Sequence, residues 1–202
     1  MARYTGPRVK KARRYGAPIF ANAAVLRMRR QGPPGARPAR RRKISDRGLQ
    51  LIEKQKVRFA YGLMEKQFRR YYERAAARPG VTGDNLMASL ERRLDNVVYR
   101  MGFGGTRAQA RQLVTHGLIA VNGKKLDVPS AETSIDDRVS FSDRGKRSKY
   151  IDIVKEDIQG REVPGWIEVD RDALEGRVSG APGTGDIEPY FNPSAIVEYY
   201  SR

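Results

Sequence analysis

Arg107 and Arg111 stand four residues apart with Gln112 beside them, and Lys124 and Lys125 directly follow an Asn-Gly pair. On a helix four residues is about one turn, roughly 6 Å of rise. Two guanidinium forks so placed reach neighbouring phosphates together, and each can bind an anion bidentately. The chemistry this implies is recognition of a polyanion, not bond-making. The chain holds one histidine, His116, and no cysteine, which excludes disulfides, thiolate metal sites and a thiol–imidazole pair. No Ser/His/Asp set, Gly-rich phosphate loop or metal-ligand cluster is legible. We therefore expect no catalytic residue, no metal and no cofactor. Glu168, Asp170 and Asp172 lie close together, but in an acidic tail spacing alone makes an improbable metal site.

The balance of charge agrees. In 202 residues, Lys+Arg number 40 and Asp+Glu 23, a net +17. Such an excess repels itself in a compact monomer, so a polyanionic partner is implied. No stretch approaches the roughly 18–20 apolar residues of a membrane span, and Met1–Lys11 does not read as a secretory peptide; we expect no membrane partner and a cytoplasmic location. The charge is also lopsided: residues 1–45 carry 14 Lys/Arg and no Asp/Glu, while residues 151–202 carry 5 basic and 11 acidic groups.

The elements that must position these groups follow from spacing. Residues 1–47 read as a basic extended arm, its Gln31–Lys43 run too rich in Pro, Gly and Arg for regular structure. Tyr4, Tyr15, Ile19, Phe20, Val25 and Leu26 give the arm some apolar surface, and arms of this kind often order only on RNA. Residues 48–83 read as helical, with Gly62 joining two helices and Met64, Phe68, Tyr71 and Ala75 forming an apolar stripe. The Phe68/Tyr71/Tyr72 cluster is read as core. Asp84 is the expected cap of the next helix, on which Leu86, Leu90, Leu94, Val97, Val98 and Met101 share one face while Arg92, Arg93 and Arg100 occupy the other. Thr106–Gln109 reads as a capping box opening a helix that ends at Gly117. Asn122-Gly123 marks a hairpin turn, and Val139–Phe141 and Tyr150–Val154 are further strand candidates. Residues 84–154 thus form two helices and a small sheet with a basic face, and residues 155–202 are expected to pack with the helical region. Trp166 is read as core.

Leu90–Gly102, Thr106–Gly117 and Val121–Lys124 together resemble the RNA-binding domain named after bacterial small-subunit ribosomal protein four. The domain occurs in several RNA-handling proteins, but three flanking segments are also similar to that family: Met1–Pro7, Glu53–Arg58 with Tyr61-Gly62 and Gln67–Tyr71, and Ile196–Ser201. The resemblance covers nearly the whole chain. It implies an α+β fold in which a basic extended arm and helical domain carry an inserted two-helix, small antiparallel-sheet RNA-binding domain. It implies direct, early binding of small-subunit (16S-type) rRNA, with small-subunit ribosomal protein five and mRNA near its entry region as neighbours. Many members carry a zinc-binding cysteine pair near the start; Val9 and Ala12 stand at the matching positions, so the arm must be held by packing and RNA.

The expected rRNA-binding residues are Arg3, Tyr4, Arg8, Lys10, Arg13, Arg14, Arg40, Arg41, Arg42 and Lys43 in the arm. Lys56, Arg58, Arg69 and Arg70 follow in the helical region. Arg92, Arg93, Arg100, Arg107, Arg111, Gln112, His116, Lys124 and Lys125 complete the set in the small domain. His116 is open to three uses: hydrogen bonding to RNA, stacking on it, or capping its helix C-terminus. We expect the double change Arg107→Ala, Arg111→Ala to weaken rRNA binding and leave the fold intact. Pseudouridine synthases share the domain and carry an Arg-Leu-Asp motif, but Arg93-Leu94-Asp95 lies mid-helix here, so Asp95 is read as an ion-pair partner for a nearby arginine. A stress-related ribosome-binding factor would lack the long N-terminal half. A DNA-binding factor would need a recognition helix or dimer signature.

Overall fold

A computed structural model describes residues 4–20, 32–35 and 43–201. Arg3, Arg40, Arg41 and Arg42, with Val25 and Leu26, lie outside the described residues. The chain divides into two compact units, residues 1–87 with 187–202, and residues 88–186.

The first unit is helical. Its arm is not extended throughout: Arg8–Tyr15 forms α1, closed by Gly16 at φ 64°. Ala12 on α1 and Ile19 just beyond it are buried. Asp46–Ala60 forms α2, opened by Ser45, whose side chain accepts from the Gly48 amide. The chain then turns at Gly62, whose φ of 64° suits glycine, into α3, Glu65–Ala76. Helix α4, Thr82–Glu91, follows; Asp84 sits inside its first turn, not at the cap, where it still complements the helix dipole. After residue 186 the chain returns to this unit, and Asn192 caps the last helix, Pro193–Tyr200. Val57, Leu63, Phe68, Ala75, Leu86 and Ile196 fill the core. Tyr200 stacks on Tyr72 with ring centroids 4.5 Å apart. The aromatic cluster of α3 is therefore packing, as its spacing predicts.

The second unit carries the sheet. The expected long helix through Leu86–Met101 is two helices: α4 stops at Glu91 and α5 runs Leu94–Arg100. Between them Arg93 is extended (φ −66°, ψ 137°) and bridges to Glu132. The Thr133 amide donates to the Arg92 carbonyl (2.9 Å) and the Leu94 amide to the Ala131 carbonyl (2.8 Å). The loop thus claims backbone groups the helix would have used. Leu90 and Leu94 keep four-residue spacing across the break, which is why periodicity alone hides it. Helix α6, Arg107–Thr115, begins at Thr106, whose side chain accepts from the Gln109 amide. Gln109 reaches back to the Gly105 amide at 2.9 Å, one residue beyond the usual capping box.

Strands β1 (Ile119–Val121), β2 (Lys124–Lys125), β3 (Arg138–Phe141), β4 (Ile167–Asp170) and β5 (Glu175–Val178) form an antiparallel sheet in the order β2-β1-β3-β5-β4. Asn122 and Gly123 both have positive φ, 50° and 75°, as a two-residue hairpin turn requires. A short helix α7, Asp143–Lys146, follows β3. Tyr150–Val154 is not a strand; it opens helix α8, Tyr150–Ile158, which buries Val154 and Ile158 four residues apart. β5 takes the place beside β3, so residues 155–186, expected to pack with the helical region, instead complete this unit; only residues 187–202 join the first. One core joins α5, α6 and the sheet through Val97, Val98, Met101, Phe103, Leu113, Val139, Phe141 and Trp166.

Candidate nucleic-acid interface

The arginines expected on outer helix faces of the second unit are largely committed to buried carboxylates. Glu91 is fully buried. Arg100 donates to its two oxygens at 2.8 and 2.7 Å, and Asn96 Nδ2 donates to it at 2.8 Å. Arg107 lies 3.8 Å from Glu91, donates to Asn96 Oδ1 at 2.8 Å and covers the Tyr99 ring at 4.8 Å. Asp95 takes both Arg93 (2.7 Å) and Arg111 (2.8 Å). Arg93 is 2% exposed, so its place on an outer face is corrected: the break between α4 and α5 turns it inward. The Arg93-Leu94-Asp95 triplet is thus an internal ion pair at a helix start, as read for Asp95. Removing Arg107 and Arg111 together takes one cation from each of the buried carboxylates and leaves Arg100 on Glu91 and Arg93 on Asp95, so the double change is expected to lower stability as well as RNA binding.

Other predicted residues are open to solvent. Gln112, His116, Lys124 and Lys125 are exposed, and Lys125 pairs only loosely with Asp127 at 3.8 Å. His116 stands at the C-cap of α6, where its backbone amide donates to the Gln112 carbonyl at 2.9 Å. Arg92 is partly held, donating to the Thr133 carbonyl at 2.8 Å. Sequence reading passed over a second group: Arg144, Lys146, Arg147 and Lys149, all exposed on and just after α7. Their crowding within one short segment was the available signal.

In the first unit, Lys10, Arg14, Lys43, Arg69 and Arg70 are exposed, and Arg8 and Arg13 are half-buried. Arg13 donates to the Gly32 and Pro33 carbonyls at 3.0 and 3.4 Å. Lys56 pairs with Glu53 at 2.7 Å, and Arg58 bonds Gln55 at 2.7 Å and covers the Phe59 ring at 4.2 Å. Tyr4 stands edge-on to Phe59 with centroids 5.0 Å apart, so it packs in this unit. Lys11 also lies over Phe59, at 4.8 Å; burial, and then the charges of Arg14, Arg58 and Lys10, push its pKa below the ordinary lysine value. An anion docking here would relieve that crowding. Val9 and Ala12 offer no metal donor, and Ala12 is fully buried, so α1 is held by apolar and aromatic packing. Among the described residues no cluster of His, Cys, Asp or Glu could hold a metal, and no helix is long and apolar enough to cross a membrane.

The chain matches two family models: the ribosomal protein S4/S9 N-terminal domain over residues 3–91 and the S4 domain over residues 92–139. It is 45% identical to the small ribosomal subunit protein uS4 of Dehalococcoides mccartyi and 48% identical to that of Akkermansia muciniphila, each comparison spanning the whole of both chains. The chain belongs to the uS4 family. As a uS4-family protein it is a structural component of the small ribosomal subunit and not an enzyme, and its cysteine-free start is a variant within that family. The full-length match removes the readings as an RNA-modifying enzyme or a stress factor built on the small domain alone. The two models meet at residues 91 and 92, where α4 ends and the break before α5 begins.

Proposed function

We propose that this chain binds 16S-type rRNA directly in the cytoplasm, nucleates assembly of the subunit body, and supports translational accuracy near the mRNA entry region beside small-subunit ribosomal protein five. One observation carries the RNA-binding core of this reading: the whole excess of positive charge belongs to one unit. Residues 1–87 and 187–202 hold 24 Lys+Arg against 7 Asp+Glu, whereas residues 88–186 hold 16 of each. A surface so unbalanced is stabilised by phosphates whose counterions it releases. In the second unit the contacts fall to Gln112, His116, Lys124 and Lys125, while Arg93, Arg100, Arg107 and Arg111 set the shape that presents them. Selectivity then comes from RNA form, since the deep groove of an A-form helix hides its base edges.

Filter binding of the purified full chain to naked small-subunit rRNA tests this. With about 6–10 phosphate contacts, affinity should fall roughly 10³–10⁵-fold between 50 and 200 mM salt. A salt-independent Kd, or equal competition by duplex DNA, would remove the reading. The wider roles are tested in reconstitution: omitting the chain should block later proteins from joining the particle.

A further inference from the structure

Four exposed cations of the second unit are gathered in one short segment, although the unit as a whole is neutral. Arg144, Lys146, Arg147 and Lys149 fall within residues 144–149, and the sole acid alongside them is Asp143 in the first turn of α7. The segment is fixed in place. Ser142 donates its amide to the Leu118 carbonyl and its hydroxyl to the Gly117 carbonyl, both at 2.9 Å. The same hydroxyl accepts from the Gly145 amide at 3.2 Å. Gly145 is buried, and a Cβ there would run into the carbonyl oxygen of Leu118. Gly117, next to His116, is also approached by Lys125, whose Nζ would lie 3.1 Å from a Cβ at that glycine. The turn after α6 therefore has both the β2 lysine and the anchored four-cation segment packed against it.

We propose that Ser142–Lys149 is a second phosphate-binding element of this unit, holding the RNA backbone beside Lys125 and His116. The inference rests on the RNA-binding reading above and adds a site to it. The segment's chemistry selects the ligand. Residues 143–149 expose no apolar or aromatic side chain, whereas the centre of a protein interface is apolar and aromatic and a membrane-binding segment buries an apolar face. A phosphate backbone needs only fixed cations. Arg144 and Arg147 bring planar forks for bidentate contact, and Lys146 and Lys149 bring point charges. The clamp on Gly117 and Leu118 keeps them from scattering as a free loop would.

The test uses the full chain with Arg144, Lys146, Arg147 and Lys149 each changed to Gln, titrated by filter binding against naked small-subunit rRNA from 100 to 400 mM KCl. Because every changed side chain is exposed, the melting temperature should match that of the parent protein. Loss of three or four contacts should flatten the log–log salt slope by about 2–3 and weaken binding at least roughly tenfold at the lowest salt. A control changing Lys155 and Arg177 to Gln should lose less affinity per charge removed. An unchanged slope in a system where the parent protein binds, or equal loss per charge in the control, would overturn the element alone. Failure of the parent protein to bind would instead overturn the underlying RNA-binding reading, and this element with it.

Discussion

The two units use the same residue types to opposite ends. In residues 1–87 and 187–202, cations outnumber acids 24 to 7, and α3 turns Lys66, Arg70 and Arg74 outward at four-residue intervals. In residues 88–186 the count is even, yet Glu91 and Asp95 are buried where they gather Arg93, Arg100, Arg107 and Arg111. In the first unit Lys66, Arg70 and Arg74 are exposed surface charge; in the second much of the arginine has found a partner inside the fold. Net charge alone points a polyanion to the first unit as the proposed place of contact. For the second, what matters is which cations are left over once the buried carboxylates are served.

The sharpest way to break this comparison is to remove a carboxylate from the second unit. Glu91→Ala removes the buried carboxylate that Arg100 and Asn96 share, leaving Arg100 the Asp186 carbonyl and Asn96 the backbone carbonyl of residue 91. Orphaning one side of a buried pair costs about 3–5 kcal/mol. We expect a large fall in the urea midpoint; a loss under about 1 kcal/mol would mean that the network is ornamental. The first unit offers the converse. Lys66→Gln, Arg70→Gln and Arg74→Gln together should each leave stability within about 0.5 kcal/mol, as exposed surface changes do. The same triple change should lower the salt slope of rRNA binding by about 2. If stability fell and the slope held, the assignment of structural and ligand-facing charge would be reversed.

Much of the fold was legible because its signals are local. The Phe68 and Ala75 part of the α3 stripe, the Thr106 cap, the turn at Gly62 and the Asn122-Gly123 hairpin all lie within a few residues and match what stands there, whereas Met64, expected in the stripe, is an exposed cap residue. The misreadings share one cause, a partner distant in sequence. The break at Arg92-Arg93 is made by residues 129–133. Tyr150–Val154 alternates like a strand, but β5 already occupies the open edge of β3, and the helix buries Val154 and Ile158 instead. The candidate interface was harder to read for the same reason. A sequence shows that Arg93 or Arg107 is basic, not that a buried carboxylate has engaged it. The α7 cluster was visible as composition, but its anchoring against Gly117 and Leu118 needed coordinates.

The smallest effect concerns an acid of the first unit that is held by cations, as those of the second are. Glu65, at the start of α3, receives Lys54 at 2.6 Å and the Tyr200 hydroxyl at 3.0 Å. Burial pushes its pKa up, but the hydrogen bond and charge of Lys54, aided by Tyr200 and Arg58, outweigh this and hold it below the ordinary value of 4.5. The neighbouring effect is consistent: burial and the Glu65 carboxylate hold the Tyr200 phenol above its usual range. A carboxylate whose pKa is lower folded than unfolded favours the folded state above the unfolded value, and that contribution is lost as pH falls through the folded value. Glu65 is about half exposed, at 49% of its side chain, so solvent screening limits the contribution to about 1 kcal/mol or less. Glu65→Gln should therefore melt slightly below the parent protein at pH 6, with the gap closing as the buffer is taken below pH 4.5, the ordinary value for this carboxyl. A gap that persisted undiminished at pH 3 would show that the glutamate acts through packing rather than charge, and Glu65 would then be no counterpart of Glu91 and Asp95.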